Sequence, residues 1–142
     1  MTALAGWGRH AAADRPRIVR GADRGGLYHR FVIARRWRVW ARREQADAVG
    51  PYLRATGSGD ALRTPGNEGA LLLRRDEVEE TLFELTTLWR SMDAIREFAG
   101  EDCTRAVLYA NDEQYFLRWD ERVEHFEVTS LEGLNQQVAP GS

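Results

Sequence analysis

An α+β fold of the ferredoxin-like, split βαβ kind is what this sequence predicts, and three observations predict it. Strand-like and helix-like stretches alternate as β-α-β-β-α-β, the order of that arrangement. Two of the strands, at 70–75 and 81–89, are apolar on both faces, so each face needs cover. Between the third strand and the last, Ser91 and Gly100 bracket an eight-residue stripe with the start and stop signals of a short helix.

Phe31 to Trp40 is the first strand. Phe31, Ile33, Arg35, Trp37 and Val39 fall on one face, and Val32, Ala34, Arg36, Arg38 and Trp40 on the other. Its β-branched and aromatic content favours extended chain. Ala41 to Thr56 reads as a helix with a stripe of Ala48, Val49, Tyr52 and Leu53. Gly50-Pro51 predicts a kink or break in it, because proline removes a donor and clashes with the preceding turn. Gly57 to Gly69, with five glycines and prolines as punctuation, reads as a loop.

Ala70 to Arg75 and Thr81 to Trp89 are the paired strands, joined by the polar stretch 76–80. Leu71 and Leu73 oppose Ala70 and Leu72; Leu82 and Leu88 oppose Phe83, Leu85 and Trp89. Helices cover one face of such a sheet. The other calls for a second copy of the chain, so the pattern predicts a homodimer. Ser91 caps the next helix, Asp93 sits in its first turn, and Ala94, Ile95, Phe98 and Ala99 form its buried stripe. Asp102 predicts the start of a further helix with Cys103, Ala106 and Val107 inward. Asn111 to Trp119 reads either as a packed loop or as a short helix. Arg122 to Thr129 is the last strand.

The chain has 142 residues, of which 43% are hydrophobic and 30% charged. That is one domain with one core. All 20 basic residues are arginine, so lysine Schiff-base and lysine general-base chemistry are excluded. A net charge of −2 argues against nucleic acid as the main partner. No apolar run reaches the ~18 residues of a membrane span, and no signal-peptide core is present, so the expected location is the cytoplasm. Cys103 is the one cysteine, and it reads as a small buried apolar side chain.

Residues 1–30 hold six arginines against two aspartates, opposite in sign to the chain as a whole. They lack an apolar stripe, and the expectation is a disordered basic arm, dispensable for folding. A start near Val32 rather than Met1 is part of that expectation. Residues 31–129 form the domain, and 130–142 a polar tail.

No phosphate loop, serine elbow or metal-ligand spacing is present. His125 is the best single candidate for chemistry, a strand histidine able to move a proton near neutral pH. Its structural alternative is a buried histidine or a dimer contact. Arg35 and Trp37 share a strand face, where an arginine beside an indole can hold an anionic or enolate-like group. Their alternative is a stacked pair at a dimer edge.

Three segments carry a resemblance: Ile33-Ala34-Arg35-Arg36-Trp37-Arg38, Trp89-Arg90-Ser91-Met92-Asp93-Ala94-Ile95-Arg96-Glu97-Phe98-Ala99-Gly100 and Val123-Glu124-His125-Phe126-Glu127-Val128. Together they resemble the antibiotic-biosynthesis-monooxygenase-like family over about residues 32 to 129. The resemblance implies a dimeric α/β barrel. It also implies a cofactor-independent monooxygenase acting on a small aromatic or polyketide-like substrate, with no metal or other cofactor. His125 and Arg35 are then the expected catalytic residues, and Trp37, Trp89 and Tyr109 the substrate-binding ones. The alternative on the same scaffold is a small-molecule-binding or stress-associated protein without enzymatic activity. Trp89-Arg90-Ser91 also matches the Trp-x-Ser motif of haem-degrading members. The chain departs from them in two ways: 101–109 holds no histidine to ligate iron, and the first strand offers Arg35 and Arg36 where they have asparagine.

Overall fold

A computed structural model describes residues 31–133. The expected basic arm at 1–30, its proposed dispensability, and most of the tail (134–142) lie outside the described residues.

Strand β1, Ile33–Arg42, is the axis of the molecule. Its residues alternate without a break between buried and partly exposed, because β-branched and aromatic side chains at period two suit a sheet with one covered face. Ile33, Arg35, Trp37, Val39 and Ala41 point inward. β1 pairs antiparallel with β3, Glu80–Trp89, from Ile33 opposite Trp89 to Arg42 opposite Glu80. β2, Asn67–Asp76, forms a hairpin with β3. The other edge of β1 is shared. β4, Arg118–Trp119, pairs with Val39 and Trp40, and β5, Glu124–Glu127, pairs with Ile33 to Arg36. The resulting order, β2-β3-β1-β4, is that of the ferredoxin-like α+β fold expected from the sequence.

Helices lie on one face. α1, Ala46–Ala55, brings Ala46, Val49 and Leu53 against Trp37, Val39, Phe83 and Leu85. α3, Met92–Ala99, brings Met92, Ala94 and Ile95 against Ile33, Trp89 and Cys103. Each large apolar side chain so buried contributes about 2 kcal/mol. The other face of the sheet is open among the described residues: Leu71 is 51% and Leu73 47% exposed. Beside these leucines runs a row of ion pairs, Arg36 with Glu84 and Glu124, Arg38 with Asp120, and Arg118 with Glu80.

Several elements differ from expectation, each for a local reason. β1 runs on to Arg42, and a single 3-10 turn at Arg43–Gln45 leads into α1, so the helix begins five residues later than expected. Pro51 does not end α1, which continues to Ala55. Proline disfavours helical backbone in the residue before it through that residue's Cβ, and Gly50 has none. The expected loop at 57–69 contains a helix instead, α2, Gly57–Arg63. A Cβ on Gly59 would lie 2.6 Å from the carbonyl oxygen of Arg54. Glycine there serves close packing of α2 on α1 rather than a turn.

The helix expected after Asp102 does not form. The Asp102 carboxylate accepts from the Thr104 N–H (3.3 Å) and hydroxyl (2.7 Å), an Asx turn that competes with helix. The chain then runs alongside 121–123, with Ala106 N–H donating to Glu121 O and Val123 N–H to Thr104 O. Of the two readings open for 111–119, a short helix is the one found, α4, Asp112–Tyr115, followed by β4. The last strand is shorter than expected, because only Glu124–Glu127 find partners on β1.

Ser91 is the N-cap of α3, its hydroxyl accepting from Ala94 N–H at 3.1 Å, and Gly100 ends the helix at φ +95°. Ser91→Ala is therefore expected to lower unfolding free energy by about 1 kcal/mol without loss of the fold. A urea denaturation midpoint equal to the parent's would remove Ser91 from that role.

Candidate functional site

The phase of β1 decides what enters the space under the helices. Because Ile33 and Val39 must point inward, so must Arg35 and Trp37 between them. Arg35 is only 5% exposed. Its Nη2 donates to the carbonyl oxygens of Arg105 (2.9 Å) and Cys103 (3.4 Å). Its Nε is buried with no acceptor, and its guanidinium faces the Phe98 ring with 5.5 Å from Cζ to the ring centroid. Among the described residues no carboxylate lies at ion-pair distance from it. Burial pulls its pKa down to about 10, which leaves it charged at neutral pH.

Beside Arg35 lies a cavity of about 20 Å³, lined by Arg35, Trp37, Gly57, Leu85, Thr87, Phe98 and Val107. That is room for about one water molecule. The walls are otherwise apolar. Thr87 is the second polar group, 2% exposed, and its Oγ1 accepts from the indole N–H of Trp89 at 2.8 Å. The Thr87 hydroxyl proton is thereby left for a neighbour on the other side.

The expected site residues divide into two groups. Arg35 and Trp37 meet at the cavity. The Trp37 indole N–H donates to Asp120 O at 2.7 Å, and its ring packs edge-on against Phe116. Trp89 is fully buried and does not line the cavity; it packs on Phe98 and donates to Thr87, both of which do. Tyr109 is elsewhere. Its hydroxyl donates to Asp60 at 2.5 Å and its N–H to Asp112 at 2.8 Å. It ties α2 to the chain before α4.

His125 sits on β5 directly opposite Arg35, on the same face. Both ring nitrogens are buried without a partner among the described residues. Burial first, and the Arg35 charge second, hold its pKa down to about 4, so the ring is neutral at pH 7. Cys103 is buried, and burial pushes its thiol pKa up, which keeps it from acting as a thiolate. Gly57, Leu85, Thr87, Phe98 and Val107 are the lining residues that sequence reasoning did not single out for a site. Thr87 carried a usable signal, a polar side chain in phase with Phe83, Leu85 and Trp89. Gly57 and Val107 come from segments whose conformation was misread.

Among the described residues no group of three His, Cys, Asp or Glu side chains is placed to hold a metal ion, and no helix is long and apolar enough to cross a membrane.

No family model matches the chain, and no curated protein matches it. Solved structures do. A Bacillus cereus protein provisionally assigned as an antibiotic biosynthesis monooxygenase is 12% identical, with a TM-score of 0.50 over 72% of this chain and 98% of its own. A protein of unknown function from Nitrosomonas europaea is 16% identical, with a TM-score of 0.54 over 72% of this chain and 93% of its own. The haem-degrading protein of Mycobacterium tuberculosis, in a haem-free structure, is 19% identical, with a TM-score of 0.50 over 72% and 97%. The fold is thus the one that the three quoted sequence segments led us to expect. At these identities the likeness speaks for fold alone. A haem does not fit this chain's site: the cavity has a small fraction of a porphyrin's volume, and the segment between α3 and α4 holds no histidine.

The depressed pKa of His125 has a measurable sign. An unfolded histidine takes up a proton near pH 6.5, whereas the folded one resists it until about pH 4. Its contribution to stability is fully present above pH 6.5 and is lost as pH falls from there toward 4. The slope of unfolding free energy against pH in that window is expected to be shallower in His125→Gln than in the parent. Equal slopes would mean that His125 titrates normally in the folded protein.

Proposed function

We propose that this protein is a homodimeric small-molecule-binding α/β barrel whose ligand enters the cavity at Arg35 and Trp37. The observation that carries this reading is a buried guanidinium with an unused donor, on a residue that lines a cavity together with Trp37 and Phe98. Packed cores seldom keep such a group without a purpose. A ligand with a small apolar or aromatic body suits the walls. The second copy is placed on the open sheet face, where Leu71, Leu73 and Phe126 are each close to half exposed. The row of ion pairs beside them would set its register. The reading involves neither nucleic acid nor membrane, and a cytoplasmic location agrees with it.

A second reading is favoured by the pairing of a buried cation with a neutral histidine across two strands. Such a pair suits cofactor-independent oxygenation of a small enol or phenol. Arg35 would stabilise the substrate anion that reacts with oxygen, and His125 would accept its proton. The provisional assignment of the B. cereus relative points the same way. The cavity volume counts against a polycyclic substrate, which is why binding is placed first. Native mass spectrometry of the purified protein tests the first reading: a dimer that retains a small molecule is expected, and a bare monomer at micromolar concentration contradicts it. Oxygen uptake with a panel of small phenols and enols tests the second.

The two faces of the sheet also separate by mutation. Leu73→Arg, on the open face, is expected to give a folded monomer, as read by light scattering and circular dichroism. Leu85→Arg, under α1 and 7% exposed, is expected to unfold the chain by placing an unpaired charge in the core. A dimeric Leu73→Arg protein would move the interface elsewhere.

A further inference from the structure

We propose that the cavity beside Arg35 is an anion site that takes the carboxylate group of a small organic acid, with Arg35 as the charged donor and Thr87 as the second. The proposal rests on the reading of this cavity as a ligand site and adds the chemistry of the ligand.

The arginines of β1 differ in how their charge is met. Arg36 and Arg38, on the partly exposed face of β1, each have carboxylate partners, Glu84 and Glu124 for the one and Asp120 for the other. Arg35, between the same neighbours on the buried face, has none among the described residues. This inverts the usual order of need, since an ion pair at the surface contributes little and an unpaired buried charge is strongly destabilising. Two backbone carbonyls and one ring face soften that cost but supply no negative charge. His125, the titratable group in register with Arg35 on the adjacent strand, is neutral and does not supply it either.

Donor geometry agrees with an oxyanion. Arg35 Nε is a buried N–H without an acceptor. Thr87 Oγ1 already accepts from Trp89 and has its own proton to give. Both residues line the one cavity. A charged residue with an unused donor and a hydroxyl with its proton free, both lining one cavity whose other walls are apolar, favour an acceptor group. The volume of about 20 Å³ holds one water-sized group, such as a carboxylate oxygen, so the rest of the ligand displaces the adjoining Trp37, Leu85, Phe98 and Val107, whose apolar surfaces favour an apolar tail over a second charge. In this arrangement Trp89 is a positioning residue, orienting Thr87.

Thermal melting of the full chain in a chloride-free sulfonate buffer tests this, with two matched pairs of probes: acetate against acetamide, and benzoate against benzamide. The expected result is a saturable rise in Tm with the carboxylates, accompanied by a change in tryptophan fluorescence, and binding about tenfold weaker or more for the amides. Arg35→Gln is expected to melt no lower than the parent in buffer without added carboxylate and to lose the carboxylate response. If that variant does not fold, the acid-amide comparison on the parent chain decides alone. Equal binding of acids and amides overturns the anion site while leaving the cavity a ligand site. No response to either class overturns the anion site and the ligand-site reading together.

Discussion

The rest of the structure depends on the phase of one strand. β1 is hydrogen-bonded along both edges, to β3 on one side and to β4 and β5 on the other. It cannot slip by one residue without exchanging its two faces, which would expose Ile33, Val39 and Ala41 and bury Arg36 and Arg38 with their ion pairs. The hydrophobic demand of those three residues fixes the strand, and it carries Arg35 inward with them. A charged side chain therefore stands in the middle of the sheet beneath the helices, at a cost the apolar residues on either side of it offset. The functional hypothesis grows from that cost: a fold that needed only stability would be better served by a methionine or leucine at position 35.

Around Arg35 the protein has built neutral support. Carbonyls of Cys103 and Arg105 hold one end of the guanidinium, and they are in place because Asp102 and Thr104 turn the chain there instead of letting a helix start. The same turn lays 104–106 beside 121–123 and so delivers β5, with His125, to the edge of β1. Trp89, Thr87 and Phe98 close the other side. The Tyr52–Asp112 and Tyr109–Asp60 hydrogen bonds lie further out, binding α1 and α2 to the chain around α4. They rigidify the wall of the site rather than enter it.

Much of this was legible in the sequence. The facing of β1 followed from period two in its aromatic and β-branched residues, β2 and β3 followed from two apolar runs around the polar stretch 76–80, and α3 followed from Ser91 and Gly100. Arg35 and Trp37 were found because two functional side chains in phase on one strand must share a face. What was not legible depended on tertiary contact. The glycines at 57 and 59 look like loop residues until α2 is seen to pack close on α1. Gly50 before Pro51 looks like a break until its missing Cβ is considered. Asp102 has the look of a helix cap, and only the pairing of 104–106 with 121–123 shows that its turn leads to extended chain. Tyr109 was placed near a ligand by resemblance alone, and its hydrogen bonds put it in the scaffold. Thr87 was missed because a threonine in a strand is ordinary until both its neighbours in space are known.

The central claim is that Arg35 awaits a carboxylate from outside the chain. The most direct measurement is a crystal structure of the protein grown with 4-bromobenzoate in chloride-free buffer, with data collected at the bromine edge. The account predicts an anomalous bromine peak in the cavity and a carboxylate oxygen within hydrogen-bonding distance of Arg35 Nε. A carboxylate side chain from residues 1–30 or from a second copy, seated on Arg35 in place of the ligand, would contradict it.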